Sequence, residues 1–421
     1  MRYLYTLALY LVTPIIMLRL LARGVHYRDY HRRWRERFGF FDAPGVKGSL
    51  WVHAVSVGEV NAAEPLIKAL RDYYPNAPLV VTTVTPTGSE RVRQLFGDSV
   101  YHVYLPYDLP FAVTRFLRRV RPLLAVIVET EIWPNLYFAC RKRGIPLMIA
   151  NARLSERSLR GYKAAGSLVA GALGCVRQIA AQSRTDAARY RQLGAKPEKI
   201  VVTGNLKFDM PVPYDSELKG EELRQQWGPL RPAWIAASTH EGEELPVLEA
   251  HLEVLTRWPD ALLLIAPRHP ERFKLVENSA RSLGFSVGTR SADGVPCASH
   301  QVFVIDAMGE LMPFYAASDL AFVGGSLVPI GGHNVLEPAA LSTPVLVGPH
   351  TFNFEEITLT LIQEGGAARV EGADELGAAV LQLMRDRPRR EHMGMVARIV
   401  FDSERGAVKR VMGMIDNLLQ E

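Results

Sequence analysis

Cysteine is scarce: Cys140, Cys175 and Cys297 stand far apart in 421 residues and in no Cys-x-x-Cys spacing. That leaves no disulfide framework and no thiolate zinc cluster to build on, and a reducing compartment is the simplest reading. Other devices are missing too. No Gly-x-Gly-x-x-Gly fingerprint, P-loop lysine motif, Gly-x-Ser-x-Gly elbow or His-Glu-x-x-His pair occurs, which removes the usual dinucleotide, P-loop, hydrolase and zincin chemistries. No two aspartates stand two apart, so the Asp-x-Asp device that holds a divalent metal on a nucleotide pyrophosphate is absent, and a metal-free mechanism is expected. Acidic residues are nearly missing from the first forty positions, where only Asp29 and Glu36 face Arg2, Arg19, Arg23, Arg28, Arg32, Arg33, Arg35 and Arg37.

Those arginines account for the whole of the net charge of +5 and leave the rest of the chain close to neutral. A nucleic-acid enzyme would spread its basic residues over a groove of the folded domain, so a membrane surface is the expected partner and nucleic acid is not. Tyr3 to Leu21 is apolar apart from threonines, Pro14 and Arg19, just long enough to cross a bilayer. A cleaved signal peptide competes with this reading, but the charge follows the apolar run and no small-x-small site precedes Arg19. A soluble core helix is the third alternative. An uncleaved anchor over residues 1–23 is expected, with the body retained on the cytoplasmic side by its arginine flank. Tyr27, Tyr30 and Trp34, set among the arginines, suit the headgroup level of an inner-membrane phospholipid surface.

From Leu50 onward, short β-branched runs alternate with amphipathic stretches, and the rhythm restarts after Pro211 and Pro213. Two doubly wound α/β domains are expected, over residues 24–210 and 211–421, with the amphipathic stretch Ala407 to Leu419 packing back on the first. Ligands of such sheets bind at the carboxyl ends of strands. The loops there carry the unusual residues. Glu59 precedes the first helix of the amino-terminal half and suits a general base, or equally a first-turn carboxylate favoured by the helix dipole. Glu129 follows a wholly apolar strand, where loss of water should raise its pKa. Lys207 lies at the domain junction, where a cation can neutralise a departing phosphate.

In the second half, Ser238-Thr239-His240-Glu241 reads first as a capping box, with His240 left exposed at a strand end. Arg268 and His269 stand one strand later, able to meet phosphate or base. Gly332 to Ala340 reads as a glycine turn feeding a helix whose free N–H groups attract phosphate, with Glu337 facing ribose hydroxyls or only the helix dipole.

The strings HAVSVGE, TPTGSERV, VYLPYDLP, ETEIWPN, IANARLSERS, TGNLKFD, STHEGEE, PRHPERF, MGEL, FVGGSLV, GGHN-x-LEPAA and GPHTFNF follow in this order. Together they resemble the 3-deoxy-D-manno-octulosonic acid (Kdo) transferases of Gram-negative bacteria, over nearly the whole chain. The resemblance implies a GT-B fold of two facing Rossmann-like domains, CMP-Kdo as donor, lipid IVA as acceptor at its 6′-hydroxyl, inversion, and release of CMP. No cofactor is expected, and the missing Asp-x-Asp device keeps a metal out of the expectation. Glu59 then matches the family's general base, and Glu129 and Lys207 match positions that stabilise the transition state. Pro267 and Arg268, Met308, Gly309 and Glu310, and Asn334, Val335, Leu336 and Glu337 match the CMP site. The acceptor's phosphates are left to the arginines near residues 28–37 or to Thr87, Gly88 and Ser89. Envelope glycosyltransferases that use UDP-sugars and nucleotide-sugar 2-epimerases remain the rival readings.

Overall fold

Seven short runs form one all-parallel sheet: β1 Ser49–His53, β2 Leu79–Thr83, β3 Tyr101–Tyr104, β4 Pro122–Val128, β5 Leu147–Ala152, β6 Gln178–Ala181 and β7 Ile200–Val202. The computed structural model describes residues 1–26, 33–43, 45 and 48–420, without the side chains of residues 21–26. Strand order is β3-β2-β1-β4-β5-β6-β7, so the winding reverses between β1 and β4. Helices cover both faces, which is why these strands are continuously apolar rather than alternating. Neighbouring residues of β1 go to opposite cores: Trp51 joins one with Phe116 and Tyr137, while Leu50 and Val52 join another with Leu66 and Ile67.

A second parallel sheet comprises β8 Ala233–Thr239, β9 Leu262–Pro267, β10 Val287–Thr289, β11 Val302–Val304, β12 Leu320–Val323, β13 Val345–Val347 and β14 Ala367–Arg369. Its order is β10-β11-β9-β8-β12-β13-β14, with the reversal between β8 and β12. Trp234 and Ala236 face one core, Ile235 and Ala237 the other. The chain thus holds two Rossmann-like units, preceded by an apolar helix Arg2–His26. The strands that sequence periodicity passes over, β3, β7, β10 and β14, are only three or four residues long, too short to show a period.

The compact units are residues 1–210 with 404–421, and residues 211–403. The second unit therefore stops before the last helix. Ala407–Gln420 buries Ala407, Val411, Met414, Ile415 and Leu418, a stripe at helical spacing, in the core with β4 and the helix Val57–Tyr73. Asp209 fixes its start by accepting from the N–H groups of Gly406 and Val408, both at 2.6 Å.

Candidate functional site

Glu59 stands in the first turn of the helix that follows β1, and Glu129 directly follows β4. Their strands are neighbours at the reversal of the first sheet, the place where doubly wound sheets bind their ligands. Glu59 Oε2 accepts the Val55 N–H at 2.6 Å, which bends the carboxylate back over the strand end. Its pKa is pushed up from an ordinary 4.5 to about 8, first by burial and then by the charges of Glu129 and Glu131, against the pull of the Val55 bond. At neutral pH it is therefore poised near its own titration, where a general base works best.

Glu129 adopts a left-handed φ of 61°, unusual for a residue with a side chain. Its N–H still bonds Ala150 O at 2.9 Å and its carbonyl takes the Tyr190 hydroxyl at 3.0 Å, so the twist is held from both sides. Burial raises the Glu129 pKa, and Lys207 and Arg153 oppose the rise. Lys207 is delivered by the short turn Leu206–Asp209. That turn is held by Asn151, itself buried and at φ 53°, whose Oδ1 takes the Leu206 N–H at 2.9 Å; Asn205 caps the Lys207 N–H at 3.1 Å. Glu131, Asn151 and Arg153 were not singled out by sequence reasoning. Their signal was available, since they lie just after β4 or at the carboxyl end of β5, inside the strings ETEIWPN and IANARLSERS.

Gly88 and Ser89 have structural tasks. Thr85 Oγ1 caps the Gly88 N–H at 3.1 Å, and a Cβ on Gly88 would lie 2.9 Å from that oxygen. Ser89 is buried, its hydroxyl 3.2 Å from Arg33 Nη1. Arg33 also ion-pairs with Glu36 at 2.6 Å, and buried Arg37 donates to Val84 O at 2.8 Å. These two arginines tie their segment to the sheet. Arg23, Tyr27, Arg28, Tyr30 and Arg32 of the expected lipid-facing cluster lie outside the described side chains.

In the second unit, loops after β8, β9 and β12 meet at the other reversal. His240 follows β8 and His333 follows β12; their Nε2 atoms are 2.7 Å apart with the rings parallel within 1°. One nitrogen must donate and the other accept, so the pair shares a proton. The His269 ring stands edge-on to His240 with centroids 5.1 Å apart. Burial and neighbouring positive charge, including Arg268, hold His240 below its ordinary pKa and bring His333 down to about 4. Arg268 is exposed, its N–H bonded to Thr239 O at 3.0 Å; its charge acts against the burial that raises the Glu337 pKa. Asn334 Nδ2 reaches Glu337 Oε1 at 3.1 Å. Val335 and Leu336 bury their side chains, leaving only backbone to a ligand. Pro267 ends β9; Met308 is exposed beside Gly309 at φ 84°, and Glu310 pairs with Arg290 at 2.7 Å.

Two local expectations need correction. Ser238 and Glu241 form no capping box, because the strand runs on to Thr239 and the next helix begins only at Glu244. Ser238 is instead at φ 58°, Thr239 is fully buried, and Glu241 points outward to pair with Arg272 at 3.6 Å. The organising carboxylate is Glu243, which accepts from the N–H groups of His240, Gly325, Ser326 and Leu327 at 2.7–3.0 Å and so joins the loops after β8 and β12. The glycine turn also differs. Gly331 and Gly332 spend their N–H groups on Gly325 O at 3.0 and 2.7 Å, and the helix Leu336–Ala339 is a single turn with little dipole to offer phosphate. Among the described residues, exposed Arg268, beside the histidines, is a cationic group placed to meet an anion here.

Comparison with known proteins gives the family. Residues 32–210 match the model described as 3-Deoxy-D-manno-octulosonic-acid transferase (kdotransferase). The 3-deoxy-D-manno-octulosonic acid transferase of Haemophilus influenzae is 43% identical, the alignment covering 100% of this chain and 99% of the relative. That of Bordetella pertussis is 36% identical, covering 99% of each. Among solved structures, a glycosyltransferase from Rickettsia africae matches with a TM-score of 0.56 at 14% identity, over 89% of this chain and 100% of that one. The UDP-GlcNAc 2-epimerase of Neisseria meningitidis, bound to UDP-GlcNAc, matches with a TM-score of 0.55 at 15% identity, over the same shares of the two chains. Such distant likeness carries the GT-B fold class and no chemistry. With end-to-end identity to named relatives laid over paired Rossmann-like units that each gather charged residues at the winding reversal, this chain belongs to the Kdo transferase family.

Proposed function

We propose that the chain transfers Kdo from CMP-Kdo to the 6′-hydroxyl of lipid IVA with inversion at the anomeric carbon, without a metal ion, at the cytoplasmic face of the inner membrane. The acceptor oxygen bonds the anomeric carbon as Glu59 takes its proton; the bond from that carbon to the CMP phosphate oxygen breaks, and CMP leaves with the electron pair. Arg268 and the histidines beside it meet the single phosphate of CMP, while Asn334 and Glu337 offer polar groups to its ribose, and Met308, Gly309 and Glu310 with Pro267 border the base. Lys207, oriented by Glu129, balances the charge that develops on the leaving group. A monophosphate leaving group needs less countercharge than a pyrophosphate, which supports a metal-free route. The observation that carries this reading is the placement of Glu59 and Glu129 on either side of the first reversal, with Glu59 poised near neutral pH.

The test is transfer from CMP-Kdo to the tetra-acylated disaccharide precursor of lipid A in detergent with chelator present, products read by mass. Kdo-sized mass gains with wild type, lost in Glu59→Gln, are expected. No transfer by folded wild type would refute the reading, and transfer restored only by added divalent metal would refute its metal-free part.

A further inference from the structure

By length and mean hydropathy (1.6 over residues 2–20) the first helix qualifies as a membrane span. Its contacts give a different answer. Arg2 Nε donates to Asn135 Oδ1 at 3.0 Å, Thr6 Oγ1 lies 3.0 Å from Asn135 Nδ2, and the Tyr5 hydroxyl donates to Asp108 Oδ2 at 3.0 Å. Asp108 and Asn135 are 2% and 1% exposed and belong to the same Rossmann-like unit, where the Asp108 carboxylate also caps the N–H groups of Asn135 and Leu136 at the start of the helix Pro134–Lys142. One turn on, Tyr10 stacks on Phe111 with centroids 6.3 Å apart.

The chain beyond the helix returns to the same surface. Phe38 stacks on Phe111 at 6.5 Å, Arg37 donates to Val84 O, and Arg115 lies over the Phe40 ring at 3.8 Å. A helix of 25 residues is ~37 Å long, and a span would put its first turn beyond a hydrocarbon core of ~30 Å, out of reach of Asp108 and Asn135. Coverage along the helix points the same way. Residues 5, 6, 9, 13, 16, 17 and 20 are partly covered, at helical spacing, while Leu4, Leu7, Leu11, Ile15 and Leu18 are 56–69% exposed along another face. The first three turns of the helix are held on the protein through Arg2, Tyr5, Thr6 and Tyr10, and another face is left bare. The surface around Phe111, which Tyr10 of the helix stacks on, carries exposed Phe40 and partly exposed Arg115, and Trp34, Arg35 and Arg118 are exposed on the neighbouring segments, a mixture of aromatic rings and cations that suits anionic headgroups.

We propose that this helix lies in the headgroup–acyl boundary of an anionic bilayer, its bare apolar face toward the lipid and its first turn docked on Asp108 and Asn135, and does not cross the membrane. The inference rests on the membrane association proposed above and specifies its geometry. It places the amino terminus and the catalytic body on one side of the bilayer, with the aromatic and arginine belt level with the headgroups.

The test uses the full chain with a short flexible tag bearing one cysteine ahead of Met1. Cys297 is exposed and reports the body, while Cys140 and Cys175 are buried. A membrane-impermeant maleimide is applied to sealed inner-membrane vesicles of each orientation, and modification is read by peptide mass. Labelling of the tag and Cys297 in the same orientation, at a ratio near one, is expected. Labelling in opposite orientations would overturn the interfacial placement and leave membrane association standing. Failure of the protein to float with vesicles of anionic phospholipid would overturn both.

Discussion

Replacing Glu59 with glutamine tests the electrostatics of the first reversal. With a pKa near 8, about a tenth of free enzyme carries the ionised base at pH 7, so wild-type kcat/KM should climb roughly tenfold toward pH 9. Glu59→Gln keeps an oxygen for the Val55 N–H but cannot take a proton; its rate should fall by about 100- to 10,000-fold and lose the limb near pH 8. Stability should move the other way. The folded pKa exceeds the unfolded value, so the protonated carboxyl's contribution is complete below pH 4.5 and is lost as pH rises through 8. At about 1.4 kcal/mol for each pH decade crossed, the ceiling is near 5 kcal/mol, and partial exposure of the group lowers it to roughly 1–3 kcal/mol. Urea unfolding at pH 5 and pH 8.5 checks this: buried Asp108, Glu129 and Glu131 also lose stability over this range in both proteins, and wild type should lose that amount more than the variant. A wild-type activity limb between pH 4 and 5, with both proteins unfolding in parallel, would refute the reasoning.

In the second unit, an anion against His240 and His333 should draw a proton onto the pair, because both are held below their ordinary pKa when the site is empty. CMP should bind more tightly as pH falls from 8 to 6, and calorimetry in buffers of different ionisation enthalpy should record proton uptake that His333→Ala abolishes. Gly324→Ala would set a Cβ 2.6 Å from Ser238 O and 2.9 Å from Glu243 Oε2, and should cost about 1–3 kcal/mol in urea unfolding together with CMP affinity. Asp209→Ala removes the cap of the last helix and should cost about 1–2 kcal/mol. Truncation before Ser403 strips buried Val411, Met414, Ile415 and Leu418 from the first unit, and at about 1.5–3 kcal/mol each, an upper estimate, should leave it without a cooperative transition. Leu11→Asp with Leu18→Asp changes only the bare face of the first helix, and should reduce flotation with anionic vesicles at least tenfold while leaving unfolding unchanged.

The sequence by itself determined the two-sheet organisation, because strands covered on both faces must be continuous apolar runs, and LWVHAV, AVIV, WIAAS and ALLLIAP can be little else. It also determined the family, through ordered strings that lie mostly behind those strands, and the candidates Glu59, Glu129, Lys207 and Arg268 with them. Tertiary structure alone decided what each loop does with its polar groups. The capping pattern at Ser238 lost to a strand that runs one residue further, and Glu243, given no role from sequence, became the acceptor for four N–H groups from two loops. Asn151, Arg153 and Glu131 joined the site because β4, β5 and β7 end together, a fact of topology that spacing along the chain does not contain. The first helix shows the division most sharply. Hydropathy counts the residues that water would reject, whereas Asp108 and Asn135, more than a hundred positions away, decide which way the helix lies.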